Sequence, residues 1–378
     1  MAGLYIHIPF CKSRCIYCGF YSTVGQELRQ RYIDAVCREM EMRCLPPSSS
    51  KQGERISTVY LGGGTPSQLT AEQLQQLFLY INKVYDCKAE EVTIECNPDD
   101  ITPEYAAMLS QLPVNRVSMG AQTFDDRRLR FLHRRHTASQ VPQTVEHLRA
   151  AGIRNISIDL MYGFPHETLD DWQHDIDAAL ALNVEHLSAY CLMVEEGTPL
   201  YEQLRNEGKE EIRECDEDTE RLMYERLIAQ LTAAGYEHYE LSNFAKPGFR
   251  SRHNSSYWHD VPYIGLGAAA HSYDGQCRQW NVSDIRQYIE SIEQGKIPCE
   301  KEWLDDDTRY NDRIATAMRT SDGLNLSSLS EKHRQYCLKE AKPYIADGLL
   351  QLTDDLRLVL TRKGLFVSDM VMSALVFV

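Results

Sequence analysis

The chain has 378 residues and a formal net charge of −15, with 40 Lys and Arg against 55 Asp and Glu. This acidic balance argues against non-specific nucleic-acid binding and favours a soluble protein. The length suffices for one large domain and a smaller one. No apolar run approaches the roughly 20 residues of a membrane-spanning helix. The sequence opens directly into a strand pattern, which leaves no room for a signal peptide, and its twelve cysteines are scattered. We therefore expect reduced thiols and a cytoplasmic location.

Short apolar strands alternate with amphipathic helices over the first 235 residues. The six predicted strands cover residues 4–8, 57–61, 92–95, 116–119, 155–160 and 186–190. The six predicted helices cover residues 26–42, 70–85, 102–112, 137–151, 169–182 and 213–234. Thr70 and Gln73 form a capping box at the start of the second helix, and residues 45–54 read as a polar loop. This α/β pattern predicts a partial, open (βα)6 barrel, because two units are missing for a closed eight-stranded one.

The βα repeat stops near residue 235. One more strand is predicted at 235–240, followed by a Gly-, Ser- and Asn-rich region with aromatic residues and by helices at 283–294 and 308–320. The tail has short helical stretches, a hairpin of 349–352 with 356–360, and a last helix. We predict a barrel domain at 1–235, a connecting region at 236–300, and a mostly helical, winged-helix-like domain at 301–378.

Three cysteines follow the first strand with C-x₃-C-x₂-C spacing, and they are Cys11, Cys15 and Cys18. Thiolates favour iron–sulfur clusters or zinc over hard cations. Three thiolates can hold three corners of a cubane cluster and leave one iron open, since a full site usually takes four cysteines. A partial zinc site is the alternative, although zinc sites more often use paired C-x₂-C units and no second unit is present. The spacing resembles that of the radical S-adenosylmethionine (SAM) superfamily, which also places an aromatic residue at the position of Tyr17, against the adenine.

Further polar and small residues end the following predicted strands. Because ligand sites of parallel α/β folds lie at the carboxyl ends of the strands, these residues are expected to meet. They are Gly63, Gly64 and Thr65 after the second strand, and Glu95, Gln122 and Asp159 at the ends of the third, fourth and fifth. Glycine backbone can approach a ligand closely, and a carboxylate can accept hydrogen bonds from ribose hydroxyls. Tight turns, ion pairs and turn capping are the structural alternatives.

Two other stretches carry candidate ligand-binding side chains. A basic run after the fourth strand reads mostly as a solvated face, but Arg134 within it can clamp a carboxylate. His253 begins the sequence His-Asn-Ser-Ser-Tyr-Trp, in which an imidazole next to aromatic rings suits a porphyrin and its iron. A satisfied histidine in an aromatic loop is the alternative. His271 ends a segment of small residues and has either a structural or a ligand role.

In combination, these motifs resemble the oxygen-independent coproporphyrinogen oxidase-like radical SAM proteins. The resemblance rests on residues 5–11, the cysteine loop, and residues 61–67, 118–122, 159–165 and 265–271. The dehydrogenases of this group carry a further cysteine two residues after the third, where this chain has Phe20. The heme chaperone branch lacks that cysteine and carries His-Asn-x-x-Tyr-Trp, which this chain has at 253–258.

The resemblance to the heme chaperone branch implies cofactors and partners. It implies a 4Fe–4S cluster on the three cysteines, SAM on the open iron, and heme that is delivered to acceptor proteins, including respiratory ones, at the membrane surface. By family position, the SAM region would be lined by Tyr5, Tyr17, Gly63, Gly64, Thr65, Glu95, Gln122, Arg134 and Asp159. His253 would bind the heme.

Three functions stay open at this point. The first is a heme chaperone on a radical SAM scaffold. The second is a radical SAM oxidoreductase that acts on a porphyrinogen, against which only the absent fourth cysteine and the His-Asn-x-x-Tyr-Trp sequence count. The third is a zinc-stabilised interaction protein without enzymatic activity.

Overall fold

The computed structural model describes residues 2–43, 55–205 and 215–378. The predicted loop at 45–54 and the first two residues of the helix predicted at 213–234 lie outside these ranges. Six strands pair in parallel in the order of the sequence. They are β1 (Ala2–Ile8), β2 (Arg55–Gly63), β3 (Asp86–Cys96), β4 (Arg116–Gln122), β5 (Asn155–Tyr162) and β6 (His186–Cys191).

Helices connect these strands and pack on one face of the sheet. They are α1 (Arg29–Arg43), α2 (Ala71–Val84), α3 (Pro103–Leu109), α4 (Asp126–Phe131), α5 (Gln140–Ala150), α6 (Leu169–Ala181), α7 (Pro199–Arg205) and α8 (Glu217–Ala233). The predicted capping box of Thr70 and Gln73 is present at the start of α2. Helix α4 replaces the predicted basic turn, because the carboxylate of Asp125 accepts hydrogen bonds from the first backbone amides of the helix.

The sheet continues beyond the six parallel strands at both edges, and twelve of the described strands belong to it. Strands β7 (Glu237–Glu240) and β8 (Asn243–Ala245) extend it past β6. On the other side, β9 (Tyr263–Leu266) pairs in parallel with β1, and three antiparallel strands follow. These three are β10 (His271–Tyr273), β11 (Cys277–Asn281) and β12 (Cys299–Trp303). The sheet is open, as the sequence predicts, and we call β9–β12 the edge extension.

The region predicted as a connection at 236–300 also contains two helices, α9 (Arg252–Trp258) and α10 (Ile285–Glu293). Its strands belong to the same sheet as β1–β6. The domain bounds 1–235, 236–300 and 301–378 stay a prediction. Among the residues with described positions, no helix combines the length and the hydropathy needed to cross a membrane.

The C-terminal region has its own small hydrophobic core, built from residues such as Tyr310, Ile314, Cys337 and Leu358. It contains α11 (Asp306–Ala317), β13 (Leu324–Asn325), α12 (Glu331–Ala346), β14 (Leu350–Leu352), β15 (Arg357–Leu360), α13 (Arg362–Leu365) and α14 (Ser368–Leu375). The three short strands form an antiparallel sheet in the order β13-β15-β14. Four helices beside a small three-stranded sheet are the elements of the predicted mostly helical, winged-helix-like domain.

The two faces of β1 differ in character because side chains alternate along a strand. Leu4, Ile6 and Ile8 are fully buried against the helices in the main hydrophobic core. Gly3, Tyr5 and His7 lie on the opposite face, which we call the inner face of the sheet. A Cβ on Gly3 would lie 3.2 Å from the His253 imidazole, so α9 covers the amino-terminal end of this inner face.

Glu39 fastens the edge extension to α1. Its fully buried carboxylate accepts hydrogen bonds from the Gly267 amide (2.8 Å), the Asn281 side-chain amide (2.8 Å) and the Tyr288 hydroxyl (2.6 Å). Arg43 neutralises the charge at 2.8 Å. One carboxylate therefore joins α1, the segment after β9, β11 and α10.

We predict that Glu39→Ala lowers the free energy of unfolding by about 3 kcal/mol or more, because it leaves Arg43 and several buried donors unpaired. Glu41→Ala is the control, since Glu41 pairs with Lys83 at the exposed surface of the same helix and should cost less than about 1 kcal/mol. Urea unfolding followed by circular dichroism measures both values. Equal effects of the two substitutions would contradict the role assigned to Glu39.

Candidate functional site

The cysteine loop follows β1 and is held in place by backbone hydrogen bonds to three other segments. The amide of Cys11 donates to the Thr23 carbonyl at 2.9 Å, and the amide of Ile16 donates to the Leu132 carbonyl at 3.3 Å. The Ile16 carbonyl accepts from the amide of Leu200, in α7, at 2.9 Å. The loop is thus fixed at the carboxyl-terminal end of the parallel strands.

The three thiols of this loop are free and face one cavity. The Thr65 hydroxyl donates to Cys11 Sγ at 3.4 Å, and Arg134 Nη1 donates to Cys15 Sγ at 3.6 Å. Burial raises the pKa values of the Cys11 and Cys18 thiols above the ordinary value of a cysteine thiol. Thiolate ligands at these positions therefore need a bound cationic group, or the nearby guanidinium, to offset the burial.

The thiols are not arranged around a single ion. In residues 2–43, 55–205 and 215–378, no three His, Cys, Asp or Glu side chains converge closely enough to hold one metal ion. The thiolates of a cluster site bind different irons, so their sulfurs stand farther apart than the ligands of one zinc ion. A cluster site therefore does not require three thiols that converge on one ion.

The cavity in front of the cysteines has a volume of about 590 Å³. The structure brings together at its wall most of the predicted site residues: Cys11, Cys15, Tyr17, Cys18, Gly63, Gly64, Thr65, Glu95, Gln122, Arg134 and Asp159. Tyr5 and His253 are not in the wall. The carboxyl ends of β2–β6 and the cysteine loop thus enclose one space large enough for a small organic ligand.

The glycine run allows the end of β2 to pack against the cysteine loop. A Cβ on Gly64 would lie 2.9 Å from the Ile8 carbonyl oxygen. Gly63 has a φ of +110°, a backbone conformation that residues other than glycine rarely adopt. The Gly64 amide already donates to Ile8 and the Gly63 amide to Glu95. Both amides are therefore committed within the protein, and the glycines allow the close packing of these two segments.

Two buried carboxyl groups face the cavity. Glu95 accepts hydrogen bonds from the Tyr60 hydroxyl at 2.8 Å and from the Gly63 amide at 3.0 Å. Burial raises the pKa of Glu95 to about 7, and the neighbouring Asp159 adds to this shift. Burial likewise raises the pKa of Asp159. These groups are poised to accept hydrogen bonds from ligand hydroxyls, because a bound polar ligand would replace the solvation that they lack.

Arg134 lies in the segment after α4, and its side chain forms part of the cavity wall. One of its nitrogens, Nη2, donates to Asn97 Oδ1 at 2.8 Å and to the Gly120 carbonyl at 2.6 Å, while Nη1 points to Cys15. Gln122 ends β4 with a φ of +67°, a left-handed conformation that is costly for a residue with a side chain. Strained backbone of this kind is concentrated at ligand sites.

Part of the basic run is not a solvated face. Arg128 is largely buried and pairs with Glu167 at 3.3 Å, and Arg135 pairs with Asp99 at 2.7 Å. The expectation of a solvated run is therefore wrong for these two residues, because acidic groups of neighbouring segments reach them. The sequence does not indicate these partners, which lie as many as 39 positions away.

Tyr5 and His253 lie below the cavity. The Tyr5 hydroxyl is 3.0 Å from His7 Nδ1, and its ring stacks on that of Tyr60. His253 is fully buried, with Nδ1 2.9 Å from the Thr58 hydroxyl and Nε2 2.8 Å from the Tyr257 hydroxyl. Both imidazole nitrogens are therefore occupied, so the expected role of His253 as an iron ligand is at odds with its position.

Arg116 is a cavity residue that the sequence reading misses. It lies at the start of β4, is 1% exposed, and its Nε and Nη1 have no hydrogen-bond partner among the described residues. Ser118 and Asn254 also reach the cavity wall. The signal for Arg116 is the alternation along β4, which places Arg116 and Ser118 on the same face as Gln122. Unpaired guanidinium nitrogens in a buried wall fit a site that takes a polar ligand.

Comparison with known proteins identifies the family. Residues 5–179 match the radical SAM superfamily, and residues 304–367 match the HemN C-terminal domain. The heme chaperone HemW of Bacillus subtilis is 34% identical over 88% of this chain and 87% of its own length. HemW of Mycobacterium tuberculosis is 35% identical over 99% of this chain and 94% of its own length. The chain belongs to the heme chaperone HemW family.

The HemW relationship confirms the branch indicated by Phe20 and the His-Asn-x-x-Tyr-Trp sequence. A solved structure of coproporphyrinogen III oxidase (HemN) from Escherichia coli is 22% identical, covers 99% of this chain and 90% of that one, and superposes with a TM-score of 0.84. This likeness confirms the fold: an open α/β sheet with parallel strands and a C-terminal domain.

The raised pKa of Glu95 predicts a pH-dependent effect of Glu95→Gln. Because the folded state holds this proton more tightly than the unfolded state, the carboxyl group costs stability increasingly as the pH rises from about 4.5 to about 7. Glutamine stays neutral, so the stability of the variant relative to the parent should be greater at pH 8 than at pH 5, by about 2 kcal/mol.

Urea unfolding at both pH values measures this difference. Glu90→Gln is the control, since Glu90 lies on the same strand with a 65% exposed side chain. If the change in relative stability between pH 5 and pH 8 is the same for Glu95→Gln and Glu90→Gln, Glu95 is not a buried, proton-binding group.

Proposed function

We propose that this chain is a heme chaperone that carries a 4Fe–4S cluster and SAM in the cavity described above. The observation that carries this proposal is the set of three free thiols of the cysteine loop at one cavity, with Phe20 instead of a cysteine two residues after the third. At the position where the dehydrogenase branch has that cysteine, Phe20 stands with 70% of its surface exposed.

The cluster and SAM sites follow from the cavity wall. Cys11, Cys15 and Cys18 would hold the cluster, whose open iron supplies a coordination site for the methionyl amine and carboxylate of SAM. Arg134 and Arg116 are the cations nearest to such a carboxylate, and Glu95 would accept hydrogen bonds from the ribose. Tyr17, in the wall between two of the cysteines, would pack against the adenine. Cavity volume, unpaired guanidinium nitrogens and thiol placement support this assignment.

The names of the relatives are the basis for including heme in the proposal. Proteins that are 33–35% identical are heme chaperones by name, and four of them match over 88% or more of this chain. We propose that this chain likewise binds heme and passes it to acceptor proteins, including respiratory ones at the membrane surface. The described cysteines are all free thiols, which supports a reducing, cytoplasmic compartment.

A radical SAM oxidoreductase acting on a porphyrinogen is the second candidate. The specific observation in its favour is the complete cavity: thiols, buried carboxyl groups and guanidinium groups lie together as a SAM-cleaving enzyme would need them. The exposed Phe20 in place of a cysteine counts against it.

Cys15→Ser tests the cluster assignment. We expect the iron and sulfide content of anaerobically purified protein, and its brown absorbance, to fall to background, because the cluster loses one of three protein ligands. Cys299→Ser is the control, since Cys299 lies in β12, away from the cavity wall, and should leave the iron content unchanged. Full cluster occupancy in Cys15→Ser would show that the ligands have been misassigned.

A paired assay separates the two candidate functions. One sample of cluster-loaded protein receives heme, and the other receives coproporphyrinogen III, SAM and a reductant, all without oxygen. The proposal predicts stoichiometric heme binding in the first sample and no protoporphyrinogen in the second. Porphyrinogen turnover coupled to 5′-deoxyadenosine release would instead identify an oxidoreductase.

A further inference from the structure

We infer that heme binds at the mouth of the cluster cavity, with the imidazole of His133 on its iron and with Phe20 and Met193 against its apolar plane. This inference rests on the proposed function, since it locates the heme that the function requires. It starts from two observations. The cavity opens to solvent between exposed apolar side chains, and both ring nitrogens of the buried His253 are already hydrogen-bonded.

Three exposed apolar side chains stand at the cavity mouth, and we call them the apolar rim. They are Phe20, Tyr190 and Met193, which are 70%, 43% and 66% exposed and all belong to the cavity wall. Large apolar side chains that are exposed together mark an interaction site, because their exposure to water is unfavourable. Aromatic rings and a polarizable thioether suit a flat, apolar macrocycle.

Phe20 and Met193 come from two segments that touch at the mouth. A Cβ on Gly19 would lie 2.0 Å from the Glu195 carboxylate, so a side chain there would push this carboxylate aside. Both residues of this contact belong to the cavity wall. Phe20 follows Gly19, and Met193 lies two residues before Glu195. The two apolar side chains therefore flank one contact between the cysteine loop and the segment after β6.

A small hydrophobic cluster beneath the mouth holds its segments in place. Three buried members of this cluster are Ile16, Leu132 and Leu192. The residues that directly follow them along the chain are Tyr17, His133 and Met193, and all three belong to the cavity wall. The cluster therefore fixes the places of an aromatic ring, an imidazole and a thioether around one opening.

His133 supplies the imidazole at this opening. It is exposed, its ring has no hydrogen-bond partner in residues 2–43, 55–205 and 215–378, and no other histidine of these ranges belongs to the cavity wall. Histidines of the inner face differ, since both ring nitrogens are engaged in His7, in His186 and in His253. An accessible imidazole with an uncommitted nitrogen is what an iron ligand requires.

The backbone at His133 would favour a glycine. This residue follows the end of α4 with a φ of +60°, and the Arg134 amide donates to the Leu129 carbonyl at 2.8 Å. This hydrogen bond is typical of a helix end whose left-handed position is usually glycine. A histidine there carries backbone strain, which fits a role for its side chain.

Arg14 is the cation for a heme propionate. It is exposed in the cavity wall, its guanidinium donates to the Cys18 carbonyl at 3.4 Å, and it forms no ion pair with a described acidic residue. Lys12 and Arg135 differ, because both pair with Asp100. An arginine without an acidic partner beside an apolar rim complements the carboxylates of a propionate-bearing macrocycle.

The heme would lie over the cavity and not inside it. A volume of about 590 Å³ suits one small organic ligand, which in the proposed function is SAM beside the cluster. The rim residues are exposed, so a macrocycle against them stays partly in solvent. Heme at the mouth would therefore cover SAM without displacing it.

His133→Ala tests the iron ligand in anaerobically purified, cluster-loaded protein that is titrated with heme in saturating SAM. We expect an affinity weaker by about tenfold and a shifted Soret band, because the axial ligand sets the spectrum of the iron. Added imidazole should restore the position of the band, which a merely structural role of His133 would not produce. Circular dichroism and iron content establish that the variant is folded and holds its cluster.

Phe20→Ser and Met193→Ser test the apolar rim with protoporphyrin IX, which has the macrocycle without the iron. Each should weaken protoporphyrin binding by roughly tenfold, because an apolar contact with the macrocycle is lost. His133→Ala should leave protoporphyrin binding unchanged, since its imidazole acts on the iron. Tryptophan fluorescence quenching by the porphyrin measures these affinities.

His271→Ala and Leu79→Ser are the matched controls. His271 is exposed on β10, Leu79 on α2 has the same 66% exposure as Met193, and neither belongs to the cavity wall. Both variants should bind both porphyrins like the parent. A parental heme spectrum in His133→Ala, or parental protoporphyrin affinity in both rim variants, would overturn the inference while leaving the proposed function intact. A parent protein that binds no heme would overturn both.

Discussion

Strand β1 carries the constraint on which the rest of the molecule depends, because it pairs in parallel with a strand on each side. Its pairing with β2 puts the cysteine loop next to the glycine run and hence at the mouth of the cavity. Its pairing with β9, from a segment about 260 positions later, attaches the edge extension with His271 and Trp280. The cluster cavity and the edge extension are therefore both positioned by one buried strand.

Helix α9 explains why the His-Asn-Ser-Ser-Tyr-Trp sequence lies where it does. The carboxylate of Glu91, on β3, accepts hydrogen bonds from the amides of Arg252 and His253, which seats the start of the helix against the inner face. His253 stacks on Tyr60, whose hydroxyl binds Glu95. The motif thus supports the floor of the cavity. Of its six residues, Asn254 lies in the cavity wall. Glu95, Tyr60 and His253 thus form a continuous column of contacts from the cavity wall to α9.

The sequence predicts the parallel core of the fold and most of the cavity, and the reason is local. Each of β1–β6 contains a run of apolar residues, and these strands alternate with helices along the chain. The candidate ligand-binding residues lie at or directly after the ends of the strands. The edge extension is not predictable in this way. Its strands have three to five residues each and mix polar with aromatic side chains, and β9 finds its partner only through distant packing.

The sequence also does not predict the roles of residues whose partners are far away along the chain. The composition around His253 suits a porphyrin, but its burial is decided by Thr58 and Glu91, which lie more than 160 positions away. Arg116 reads as an ordinary polar position of a strand, and only the assembled sheet reveals a buried guanidinium with unpaired nitrogens.

The central claim is that one chain holds a cluster with SAM and also binds heme. Heme titration of cluster-loaded protein in saturating SAM tests this claim most directly. The account predicts stoichiometric heme binding, with the iron and sulfide of the cluster retained at the end. Cluster-loaded protein that binds no heme would contradict it.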